Sequence, residues 1–163
     1  MFQTFGIEYS FEIDKKFLES KYKELIKLSH PDIDENVNME IPIHIIRSYK
    51  LLHDPFERAL LIISKKTNTT KEYLIDKIDS LTMDLKVMDD VFDTDMNIKE
   101  IEAGEMRKRD LTSIVERNDK KISEYIKLLE TEFKRKDLEV TNILKILKNL
   151  KIYQKLNLKL SGA

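Results

Sequence analysis

The chain has 163 residues, 41% hydrophobic and 36% charged, which fits one ordinary domain or two small ones, and no run approaches the 18 apolar residues of a membrane span. Its 29 basic and 30 acidic residues leave a net charge of -1, which argues against a large nucleic-acid footprint held by unbalanced positive charge. The absence of cysteine excludes disulfides, thiolate metal sites and cysteine nucleophiles, and only three glycines and three prolines leave few turn formers, so helix dominates.

Between Asp14 and Ser29 the apolar residues Phe17, Leu18, Tyr22, Leu25 and Ile26 recur at helical spacing, with Lys16, Glu19, Lys23 and Lys27 mostly off that face. This predicts an amphipathic helix capped by Asp14 and stopped at His30-Pro31, because the residue before proline is pushed out of the α region. The polar, aperiodic stretch from Asp32 to Glu40 reads as a loop. Pro42 then lies in the first turn of a second helix, with Ile45, Ile46, Tyr49 and Leu52 facing inward, antiparallel to the first. Asp54-Pro55 supplies a cap and a first-turn proline for a third helix through Phe56, Ala59, Leu60 and Ile63.

Lys65 to Thr70 is polar, rich in loop formers and aperiodic, and reads as a linker. The expected division is an N-terminal domain over 1–66, a linker over 67–71 and a second domain over 72–163. That second domain reads as three antiparallel helices: about Lys71 to Phe92, a charged run to about Arg135, and Leu138 to about Leu158, with a break expected between Thr94 and Gly104. Two apolar lines run along the first of these, one through Ile78, Leu81, Leu85, Met88 and Phe92, the other through Met83, Val87 and Val91. A small bundle cannot easily bury both, so one is expected to face a partner. The fold class is therefore all-α.

Three features carry a resemblance: Phe2 with Phe5-Gly6-Ile7 at the start, His30-Pro31-Asp32 between the first two long helices, and Leu52-His53-Asp54-Pro55-Phe56-Glu57-Arg58-Ala59. Together they resemble the J-domain family, whose members trigger ATP hydrolysis in a DnaK-class chaperone. A proline between an imidazole and a carboxylate holds both groups at a rigid turn, and preorganised groups bind at lower entropic cost. The resemblance implies that His30, Pro31 and Asp32 dock the chaperone, with Lys16, Lys23 and Lys27 meeting an acidic face there. Ile33 stands where many members carry lysine.

The compact helical region after that domain, without a glycine/phenylalanine-rich linker or zinc-finger repeats, is similar to the HscB subfamily of iron-sulfur cluster assembly. Leu81-Thr82-Met83-Asp84-Leu85-Lys86-Val87-Met88-Asp89-Asp90 loosely resembles the subfamily's segment that holds the IscU scaffold protein. Carried over, the scaffold-binding patch is Leu81 and Leu85 with Ile152 or Tyr153 from the last helix, and the partners are an HscA-like chaperone and an IscU-like scaffold. A bacterial cytoplasmic setting is expected, with the mitochondrial matrix as the alternative.

Other chemistries find little support. His30, His44 and His53 lack metal-ligand spacing, and the calcium-loop start at Asp32 fails because Val37 replaces the turn glycine and Ile43 stands at the bidentate glutamate position. No phosphate-binding loop or nucleophile elbow occurs, so neither enzymatic activity nor a cofactor is expected. Two alternatives stay open: a J-domain protein with another client, or a nucleic-acid-binding bundle using Arg107, Lys108, Arg109, Lys120, Lys121, Lys134 and Lys136, against which the interleaved acids speak.

Overall fold

The computed structural model describes residues 1–29, 40–104 and 110–162, and every regular element among them is helical. After a single 3-10 turn at Gln3–Phe5 come α1 (Lys15–Leu28), α2 (Glu40–His53), α3 (Pro55–Thr67), α4 (Lys71–Ser80), α5 (Leu85–Glu102), α6 (Asp110–Lys134) and α7 (Val140–Gly162). They form two compact units, Met1–Thr69 and Thr70–Ala163.

In the first unit Asp14 caps α1, its carboxylate accepting from the amides of Lys16 at 2.9 Å and Phe17 at 3.1 Å. The pairing of α1 with α2 is antiparallel: the Tyr22 ring stacks on Tyr49 at 4.1 Å, Glu19 feels the charge of His53, and Leu25 borders a groove with Ile43 and Ile45. Ile45, Ser48 and Leu52 form the buried line of α2. Ile46, expected to face inward, is 37% exposed, because the spacing of three and four residues places Ser48 on the core side instead. Asp54 caps α3 through the amide of Phe56 at 2.8 Å, with Pro55 in the first turn.

Lys65 to Thr67, expected to be linker, complete the last turn of α3. The helix stops one residue later, where Asn68 takes the left-handed conformation at φ 52°, a role asparagine tolerates better than most residues. Phe2, Phe5 and Phe11 from the N-terminal segment are buried, as are Leu18, Leu52, Leu60 and Ile63 of the helices. Arg58 is the buried charged residue among those described in this unit, 3% exposed. Its guanidinium donates to the carbonyls of Phe11 (2.7 Å) and Leu52 and lies 4.8 Å from the centre of the Phe11 ring. Leu52 is in the last turn of α2, where carbonyls lack intrahelical partners, so Arg58 both caps α2 and anchors the N-terminal segment.

The second unit departs from the expected three helices. The stretch expected to be one helix from Lys71 to Phe92 is two, because α4 ends at Ser80 and Asp84 caps α5 by accepting from Lys86 N at 2.9 Å. The break expected from Thr94 onward is absent at that residue. Thr94 is fully buried inside α5, its hydroxyl donating to the carbonyl of Asp90 at 2.7 Å, and the helix runs to Glu102 before Gly104 turns the chain at φ 75°.

Tyr125 lies against Tyr153 and Asp119 against Asn157, so α6 runs antiparallel to α7. Asp90 meets Tyr153 and Asp95 meets Lys159, so α5 runs parallel to α7. These three form an up-down-up bundle, with α4 packed on α7 as a fourth helix. Leu129, Ile143, Leu147, Leu150, Tyr153 and Leu156 supply its core, and Asn118 is a fully buried polar residue within it.

Candidate functional site

Two surfaces hold the residues singled out in the sequence. On α1, at 100° per residue, Lys16, Lys23 and Lys27 fall within about 40° of arc, opposite the face that buries Leu18. All three are exposed. Lys23 pairs with Glu19 at 2.7 Å, and that hydrogen bond and charge hold the Glu19 carboxyl below its ordinary range and lift the Lys23 ammonium. Lys16 and Lys27 make no ion pair among the described residues, which leaves their cations available to an external acidic group. His30, Pro31 and Asp32 lie outside the described residues. The last turn of α1 closes just before them, with the Ser29 amide donating to Leu25 O at 3.0 Å.

The second surface lies at the corner between α4 and α5. Leu85 is 71% exposed and Leu81 is half-buried. Leu81, Thr82, Met83 and Asp84 line a shallow groove together with Lys145, Lys148 and Asn149 of α7. Tyr153 does not belong to an exposed patch: it is 1% exposed and sits in the core with Val87 and Leu156, its hydroxyl donating to the Asp90 carboxylate. Burial, reinforced by the Asp90 charge, holds its phenol far above the ordinary range. Neighbouring residues on a helix point 100° apart, so Ile152, half-buried at the edge of the same cluster, is the member of the pair with surface left to offer.

The two apolar lines on this part of the chain now separate. Val87, Thr94 and the half-buried Val91 and Ile98 face the bundle, whereas Leu85, Met88, Phe92 (61% exposed) and Met96 (62% exposed) form a continuous outward stripe along α5. Met96 was not reached from the sequence, although it continues the spacing of Leu85, Met88 and Phe92. Flexible methionine and aromatic side chains on an open face suit a protein-binding surface.

Among the described residues no three His, Asp or Glu side chains converge as metal ligands, and no helix is long and apolar enough to cross a membrane. Of the lysines and arginines considered for nucleic acid, Lys121 lies 3.7 Å from Glu124, and Arg107, Lys108 and Arg109 fall outside the described residues.

No family model matches the chain. Over a 73-residue alignment that covers 40% of this chain and 42% of the other protein, the chain is 34% identical to the Co-chaperone protein HscB homolog of Haemophilus influenzae. Among solved structures the chain superposes on the chaperone HscB from Vibrio cholerae with a TM-score of 0.74 at 18% identity, covering 99% of this chain and 94% of the other. The human co-chaperone protein HscB gives a TM-score of 0.72 at 19% identity, covering 99% and 82%. The chain therefore has the HscB-type fold.

Proposed function

We propose that this chain, whose fold is that of HscB co-chaperones, is a non-enzymatic J-domain co-chaperone of iron-sulfur cluster assembly. The observation that carries the reading is the α1/α2 hairpin, whose exposed Lys16, Lys23 and Lys27 lie opposite the core on the helix that leads to His30-Pro31-Asp32. Cations on such a face steer an acidic partner surface and set orientation more than they add affinity. Asp32 then pairs with an arginine of a DnaK-class, HscA-like chaperone and triggers its ATP hydrolysis.

The second unit holds the client, an IscU-like scaffold, against Leu81, Leu85 and Ile152. Tethering the client to the hairpin raises its concentration beside the chaperone's peptide site without any further contact. The exposure of Leu85 supports this half of the reading, because a leucine that contributes nothing to the core is free to bury against a partner.

Steady-state ATPase assays of the chaperone test the first half. Asp32→Asn abolishes stimulation and leaves scaffold binding intact; stimulation at the unaltered rate refutes the docking role. Titration of the scaffold tests the second half. Leu81→Ala with Leu85→Ala weakens binding by about 1–4 kcal/mol if these are central anchors, and stimulation without any scaffold binding assigns another client.

A further inference from the structure

The corner that carries Leu81 and Leu85 has a weak cap from its own residues. Leu81 is extended (φ -67°, ψ 146°), and its amide reaches only back to Ile78 O at 3.2 Å. The Ser80 hydroxyl closes onto Lys77 O at 2.8 Å, and the carbonyls beyond it are met by a side chain from α7. The Lys148 ammonium donates to Ile78 O at 3.3 Å, to Asp79 O at 3.2 Å and to Leu81 O. An ammonium has three N–H donors, and a cation is favoured at the negative end of a helix dipole. About one turn further along α7, Lys151 pairs with the Asp79 carboxylate at 2.8 Å.

Asp84 starts α5 only three residues after Leu81, so little chain is left to absorb a change of direction. Holding the Leu81 carbonyl therefore fixes both the plane of the corner and the direction in which Leu85 leaves it. Lys148 is itself half-buried in the groove, with its donors engaged by backbone.

We propose that Lys148 is a positioning residue for partner docking: through the carbonyls of Ile78, Asp79 and Leu81 it sets the α4–α5 corner so that Leu81 and Leu85 are presented as one surface. The inference rests on the reading of those leucines as the client site. It assigns Lys148 no contact with the client, and its effect passes through the backbone of the corner.

The test uses the full chain and an IscU-type scaffold protein. Lys148→Met keeps the aliphatic stem and removes the donors, and it weakens scaffold binding about tenfold, the equivalent of about 1.4 kcal/mol. Lys148→Arg restores binding to within about threefold, because a guanidinium can still reach carbonyl oxygens. The loss shrinks or vanishes in a Leu85→Ala background, since residues that act through one surface are not additive. A lysine with a merely structural role produces the same loss in both backgrounds, and that result overturns the proposal. Amide exchange supplies an arm that needs no partner: exchange at 81–87 accelerates in Lys148→Met while the core of α6 and α7 stays protected, and unchanged exchange overturns the proposal. Failure of the unaltered chain to bind scaffold sinks the client reading together with the positioning role, whereas binding with additive losses sinks the role of Lys148 alone.

Discussion

Replacing Arg58 by methionine keeps an unbranched side chain of similar length and removes the guanidinium from the core of the first unit. Two charge-assisted hydrogen bonds are lost, to the carbonyls of Phe11 and Leu52, each worth about 1.5–3 kcal/mol. The contact with the Phe11 ring adds about 0.5–2 kcal/mol. Against this, methionine no longer carries the desolvation cost of a guanidinium only 3% exposed. Two carbonyls stay behind without their donor, so the net loss is about 3–5 kcal/mol, the range for breaking a buried charged contact on one side. A unit of 69 residues holds only about 3–10 kcal/mol in total, so most of its stability disappears. Arg58→Lys retains the charge without the fork that reaches two carbonyls, and recovers part of the loss. Urea titration of the full chain, followed residue by residue by NMR, reads this directly: the midpoint for Met1–Thr69 falls steeply while the protection of α6 and α7 holds. A shift below about 1 kcal/mol in the first unit would refute the account of Arg58 as the bond between α2, α3 and the N-terminal segment.

Tyr153→Phe removes the hydroxyl that serves Asp90 and lowers the stability of the second unit by about 1–3 kcal/mol, measurable by thermal denaturation; a neutral result removes that bond from the core's support. Leu85→Asp leaves the thermal midpoint nearly unchanged, because the leucine is 71% exposed, yet abolishes scaffold binding in a pull-down with purified components. The Asp79 carboxyl, held down by its hydrogen bond to Lys151, titrates below its ordinary value of 3.8. Its folded pKa is depressed, so the pair's contribution is complete above the unfolded value and fades as pH falls through the lower folded one. Being largely exposed, it is worth at most about 1 kcal/mol. Carbonyl NMR titration of Asp79 against Lys151→Met checks this, and an unchanged titration midpoint in the variant excludes Lys151 as the cause.

Short-range chemistry was legible from the chain alone. Asp14 and Asp54-Pro55 announce helix starts because capping needs only a carboxylate within three residues, and the geometry bears both out. The all-α class and the antiparallel α1/α2 pair follow from periodicity for the same reason. The division at the α4–α5 corner was not legible, since the line through Ile78, Leu81 and Leu85 keeps helical spacing straight across 81–84 and only the cap at Asp84 marks the break. Tyr153 against Ile152 was equally undecidable: adjacent residues on a helix differ by a rotation, and which one turns inward depends on where α5 and α6 lie. Arg58 entered the sequence reading as part of a signature, and its carbonyl partners at Phe11 and Leu52 became visible only in three dimensions. His30, Pro31 and Asp32 stay a reading of the sequence, beyond the described residues.

Because α5 is greasy on two sides, burying Val87, Val91 and Ile98 or burying Leu85, Met88 and Phe92 would satisfy the bundle's appetite for apolar surface almost equally well. What breaks the tie is polar: Tyr153 grips Asp90, and Lys159 grips Asp95 at 2.9 Å little more than a turn later. The latch at Asp90 disfavours the half-roll that would hide the outer stripe, and the exposed pair at Asp95 adds little to it. The stripe is thereby released from any duty in folding, and its residues can change while the bundle beneath them keeps its register.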